Sequence, residues 1–108
     1  MVKLKTKKGR NFLIALKGEV YKIRLTKHSI QRGKERGINV RNIVRAIEKA
    51  ADRIKTLNPQ KEVIPFAIIN KDSNTAIIAK KEHHTIHVVT VLKNREFQIE
   101  NVDRVIFL

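Results

Sequence analysis

Between residues 40 and 54 the chain carries Val40, Ile43, Val44, Ile47, Ala51 and Ile54 at spacings of three and four. At 100° per residue these side chains fall on one side of a helix, with Arg41, Arg45, Glu48, Lys49, Asp52 and Arg53 on the other. So divided a helix must lay its apolar stripe on an apolar partner. Asn39 stands at its N-cap, and Ile38 and Ile43 hold the positions of a hydrophobic staple. The helix is expected to end near residues 55–57, before Asn58-Pro59.

Strands must supply the partner, because the remaining apolar residues recur with a period of two. NFLIAL and EVYKIRLT are separated by Lys17-Gly18, a two-residue turn, and read as a hairpin. In the second run Tyr21, Ile23 and Leu25 alternate with Val20, Lys22 and Arg24. Further strands are expected over 62–69, 75–81, 85–92, 96–99 and 104–108, with Pro65 marking an edge or an irregular start and Lys93-Asn94-Arg95 a turn. Runs 75–81 and 85–92 are apolar on both faces, which suits central strands. A short helix lies between the hairpin and residue 39, with Thr26 as cap and Gly37 closing it in the left-handed conformation. The expected fold is α+β: an N-terminal β-hairpin, two helices, then a curved antiparallel sheet of about four strands. Residues 1–10 read as a flexible basic arm and 11–108 as one domain.

Charge narrows the partners. The chain has 24 Lys and Arg against 10 Asp and Glu, a net charge of +14. Half of the basic residues lie within 1–36, opposed there only by Glu19 and Glu35. A field of that sign draws polyanions, so RNA, or DNA in its place, is the expected partner. Aromatic residues are few and sit mostly in apolar runs, against a base-stacking platform. Cysteine is absent, and no apolar run approaches the roughly 18 residues of a spanning helix. A cytoplasmic protein with no membrane association is expected. Neither nucleotide-loop nor acyl-transfer signatures are present, and the scattered carboxylates disfavour a two-metal nuclease.

His28, Arg32 and Arg36 stand four apart, followed by Gly37, so the three side chains share one helix flank. Forked guanidinium donors fit phosphate oxygens, and an imidazole can exchange a proton near neutrality. Metal-free RNA cleavage needs those parts. The same spacing also suits a solvated helix end with His28 packed at the helix–sheet junction.

The run HSIQRGKERGI followed by an amphipathic helix resembles a group of small domains with the pattern H-x-x-x-R-x-x-x-R-G-[IV]. These are related to BrnT and RelE and, more broadly, to metal-independent ribonucleases such as barnase and the colicin tRNases. His28, Arg32, Arg36, Gly37 and Ile38 match the pattern, and TAIIAKKEHHTIHVVTV is similar to that group's paired strands. Ser29 departs from the small apolar residue usual there, and Gly33 from a larger apolar one. The resemblance implies a toxin-like endoribonuclease and an acidic antitoxin or host protein as partner.

A second concentration of titratable groups is KKEHHTIHVVT. His83 and His84 fall at a turn and His87 in the next strand, so helical metal-site logic does not apply; no metal or other cofactor is expected. His28, Arg32, Arg36 and His87 are the candidate catalytic residues. Lys5, Lys7, Lys8, Arg10, Lys22, Arg24, Lys80, Lys81, His83 and His84 are the candidate nucleic-acid contacts. The competing expectation is a non-catalytic basic protein, of phage or mobile-element type, that occupies nucleic acid or inhibits a host nucleic-acid enzyme.

Overall fold

A computed structural model describes residues 2–6, 9–57, 60–93 and 102–108, with side chains from residue 10 onward. The class is α+β, but the sheet is larger than expected and not purely antiparallel. Seven strands pair in the order β1-β2-β3-β6-β5-β4-β7. They are β1 (Val2–Thr6), β2 (Gly9–Leu16), β3 (Glu19–Thr26), β4 (Val63–Asn70), β5 (Thr75–Glu82), β6 (Thr85–Lys93) and β7 (Arg104–Phe107). The helices are α1 (Lys27–Glu35), α2 (Val40–Lys49) and α3 (Ala51–Lys55).

The expectation of about four antiparallel strands fails at two seams. The β2–β3 hairpin and the β4–β5–β6 meander are each antiparallel, but they join through a parallel pairing that sets Ile23 beside Ile86 and Arg24 beside His87. β7 likewise runs parallel to β4. One merged sheet offers the helices a continuous apolar floor, which neither piece provides alone. Residues Val2–Thr6, read from the sequence as part of an arm, pair antiparallel with β2.

Both helix starts follow from their capping residues. Thr26 Oγ1 accepts the Ser29 N–H at 3.0 Å, and the buried Ser29 hydroxyl donates back to the Thr26 carbonyl at 2.9 Å. Asn39 and Asn42 form a reciprocal capping box at α2. α1 ends on Gly37 at φ +71°, with Ile38 N–H bonded to the Gly33 carbonyl at 2.7 Å and Gly37 N–H to that of Lys34 at 3.2 Å, a Schellman closure. Gly33 is needed at this corner, since a Cβ there would lie 2.6 Å from the Ile38 carbonyl oxygen. The single helix expected up to residues 55–57 instead breaks at Ala50, whose ψ of 4° starts α3 on a new turn. The Lys17-Gly18 turn has positive φ at both residues, as a two-residue hairpin requires.

One apolar core lies between the helices and one sheet face. Ile43, Ile47 and Ile54 press onto Ile23, Leu25, Phe66, Ile86, Val88 and Ile106, all fully buried or nearly so. Alternation along the strands sends Lys22, Arg24, His87 and Lys80 to the opposite face. β6 lies at the centre, flanked by β3 and β5. Pro65 sits in β4 one residue before the β7 ladder begins, where its missing N–H breaks no bond to that strand. The predicted strand over 96–99, and the Asn94-Arg95 part of the predicted turn, lie outside the described residues.

Candidate nucleic-acid interface

The sheet face opposite the apolar core gathers cations across three neighbouring strands. Arg24 on β3 is the register partner of His87 on β6, which in turn is the partner of Lys80 on β5. Lys22 stands two residues along β3 on the same face, beside Thr85. Lys22, Arg24 and Lys80 are exposed, and the His87 side chain is 29% exposed. Asn11 extends the row beyond Arg24 onto β2, and its side-chain oxygen is buried without a partner among the described residues. Toward β7 the same face turns apolar, through Ala67, Ile69, Ile78, Val105 and the half-exposed Phe107.

His87 is the titratable centre of this surface. Its Nε2 lies 3.5 Å from the Glu82 carboxylate, a contact made across the β5–β6 turn. Partial burial pushes the imidazole below its ordinary value; the carboxylate opposes this, and Arg24 and Lys22 reinforce it. The ring is therefore neutral at pH 7, able to accept a proton, and surrounded by cations able to hold a phosphate. Glu82 was not among the residues singled out from the sequence. Its signal was the strand period, which sets it opposite Thr85 on the face that His87 shares.

The α1 flank carries the other three candidates. His28, Arg32 and Arg36 lie along α1, which packs chiefly against β6 and also against β3 and β2. Their ridge drifts 40° per step around the helix, from the exposed His28, through Arg32 at 44% side-chain exposure, to Arg36 at 19%. Glu35 binds both guanidiniums, at 3.1 Å to Arg32 and 3.5 Å to Arg36. A hydrogen bond from Gln31, then the two arginines, hold the Glu35 carboxyl below its usual range. A carboxylate lodged between the two arginines offsets the field they would offer a phosphate. Of the four residues expected to share one catalytic centre, three lie along α1 and its C-cap and His87 lies on β6.

The other candidate contacts are dispersed. His84 is tied to β3: its ring packs on Tyr21 at a 38° tilt with centroids 4.8 Å apart, and its Nε2 lies 3.1 Å from Glu19. That hydrogen bond, followed by the charge of Lys55, lowers the Glu19 carboxyl. Burial, with Glu19 adding to it, raises the Tyr21 hydroxyl. His83 takes the left-handed turn position at φ 53° and is exposed. Lys81, His83 and His84 line a cleft of about 450 Å³ with Lys61 and Glu62, apart from the cationic row. Arg10 faces the helical side with Lys34 and Arg41, around a groove of about 360 Å³. Lys7 and Lys8 lie outside the described residues, as does the side chain of Lys5. No group of three metal-ligating side chains occurs among the described residues, and no helix there is long and apolar enough to cross a membrane.

Compared with known proteins, the chain matches no family model, no curated protein and no solved structure.

Proposed function

We propose that this chain is an RNA-directed protein that holds a nucleic-acid strand across the cationic face of its sheet. The observation that carries this reading is the row Arg24–His87–Lys80, with Lys22 beside it, on three adjacent strands, its three cations exposed. Strand spacing near 4.8 Å makes the row about 10 Å wide, enough to meet successive phosphates of an extended backbone. The resemblance of His28–Ile38 to the RelE/BrnT-like motif favours RNA over DNA as the strand held.

A second reading, metal-independent cleavage, is favoured by the Glu82–His87 pair. Neutral His87 takes the proton from a ribose 2′-OH while Glu82 stabilises the imidazolium that forms. The 2′ oxygen bonds to phosphorus as the bond to the 5′ oxygen breaks, and that oxygen takes a proton from solvent. The products are a 2′,3′-cyclic phosphate and a 5′-OH, with Arg24 and Lys80 holding the charge on phosphorus.

The test is a salt titration of binding to a uridine oligonucleotide by fluorescence anisotropy, run with an RNA cleavage assay in EDTA. Three sheet-face cations give a log–log salt slope of about −2, and Lys22→Gln with Arg24→Gln makes it shallower by about 1.4. Cleavage disappears in His87→Ala while binding persists. A slope that the double variant leaves unchanged overturns the sheet-face reading. RNA left intact after long incubation at high protein concentration overturns the cleavage reading alone.

A further inference from the structure

On the helical side of the sheet, away from the cationic row, a cleft of about 270 Å³ opens between α2 and the β4–β5 turn. Its floor is apolar, formed by Ile68, Ile77 and Ala46. Its rim is unusual in offering donors almost exclusively. Arg45 and Lys49 stand on its α2 wall, one helical turn apart at about 6 Å of rise. Neither takes part in an ion pair among the described residues, and no Asp or Glu lines the cleft.

The uncharged rim residues are committed in the same sense. The side-chain oxygen of Asn42 accepts the Asn39 backbone N–H in the capping box, which fixes the amide and leaves its NH₂ to donate. Asn70 on the turn side is fixed similarly: its oxygen accepts the N–H groups of Asp72 and Ser73, again leaving the NH₂. Ser73 and Thr75 share one hydroxyl–hydroxyl bond at 2.8 Å, which uses one of their two protons and leaves one to donate. Two cations, two amide NH₂ groups and a hydroxyl proton thus border a single cleft. A ligand satisfying them must be rich in acceptor oxygens and negatively charged, as a phosphoryl group is.

We propose that this cleft is a binding site for a small phosphate monoester, with the phosphoryl group on Arg45, Lys49 and the Asn42 amide. Its carbon body lies against Ile68 and Ile77, and Asn70 and Ser73 meet the polar edge. The volume lies at the lower limit of small-molecule sites, which selects a compact ester of nucleoside-monophosphate size or less. This site is independent of the sheet-face reading, since the two lie on opposite faces of the sheet.

The test is a ¹H–¹⁵N NMR titration of the full chain at low salt with inorganic phosphate, ribose 5-phosphate and AMP. Saturable shifts are expected at Arg45, Lys49 and residues 70–75, with the esters binding more tightly than inorganic phosphate. Asn42→Asp is the decisive variant. It keeps an oxygen for the capping box but replaces the donor by a carboxylate, and an acid near a helix N-terminus does not weaken the helix. It should lose at least roughly tenfold in AMP affinity with an unchanged melting temperature. Arg41→Gln removes the same amount of charge outside the cleft and should alter affinity by less than about twofold. Shifts spread without saturation over the basic surface overturn the proposal. So does an Asn42→Asp protein that binds AMP like the parent, or an ester that binds no better than phosphate. RNA binding that persists in Arg45→Gln/Lys49→Gln, and is lost in Lys22→Gln/Arg24→Gln, separates this site from the sheet face.

Discussion

Replacing Gly33 by alanine tests the corner on which α1 turns toward α2. On propensity alone the change should help, because alanine gains about 1 kcal/mol over glycine inside a helix. The structure predicts the reverse. The new Cβ would stand 2.6 Å from the carbonyl oxygen of Ile38, a backbone atom that no rotamer change can move aside. Relief requires Ile38 to retreat, and its N–H makes the 2.7 Å Schellman bond to Gly33. Overpacking of a tight site costs about 1–3 kcal/mol, and a weakened backbone hydrogen bond adds about 1 kcal/mol. After the propensity gain is subtracted, the net loss is about 1–3 kcal/mol. For a domain near 100 residues this lowers Tm by about 4–14 °C. Urea unfolding and a thermal melt measure it directly. Gly37→Ala is the comparison: that position has φ +71° and nothing within 4 Å of a built Cβ, so it loses stability through backbone conformation alone. A Gly33→Ala protein as stable as the parent, or more so, would refute the close approach of Ile38 to α1.

Other expectations concern pH and capping. His87 is lowered in the folded state, so the unfolded chain binds its proton more readily. His87 therefore contributes fully above the ordinary histidine value of about 6.5, and that contribution fades as pH falls toward the lower folded value. His87→Ala should flatten the corresponding part of a stability–pH curve, and a curve identical to the parent's refutes the assignment. Thr26→Ala removes the 3.0 Å bond to the Ser29 N–H and should cost about 1 kcal/mol in urea unfolding; an unaffected midpoint would show that α1 does not depend on this cap.

Local elements could be read from the sequence because their causes are local. Thr26, Gly37 and Asn39 mark helix ends through their own backbone and side-chain chemistry, and Lys17-Gly18 marks a turn through positive φ. The alternation in β3 separates Ile23 and Leu25 from Lys22 and Arg24, which correctly assigned the inner and outer residues of that strand. What the sequence does not encode locally is which strand edges meet. Period two in 19–26 and in 85–93 is equally compatible with separate sheets, and only the shared apolar floor beneath α1 and α2 decides for a parallel seam. The grouping of His28 with His87 meets the same limit. Helical spacing shows which side chains share a flank, but not which layer of the domain that flank occupies. Gly33 read as a departure from the expected pattern because the carbonyl that requires it belongs to Ile38, beyond the helix. Glu82 could not be paired with His87 from the sequence because the two lie on opposite arms of a hairpin.

The parallel seam between β3 and β6 has a consequence for when the molecule acquires any activity. Arg24 and His87 are neighbours in space but belong to pieces of chain separated by three helices and two further strands. Neither the hairpin nor the meander alone carries the composite surface, however well each is formed. Closing such a distant pairing is entropically slow compared with forming a hairpin. Early compact species therefore hold their positive charges in unassembled patches. Competence to grip a polyanion in register comes only with the final docking of the two portions, so the recognition surface reports on completed folding.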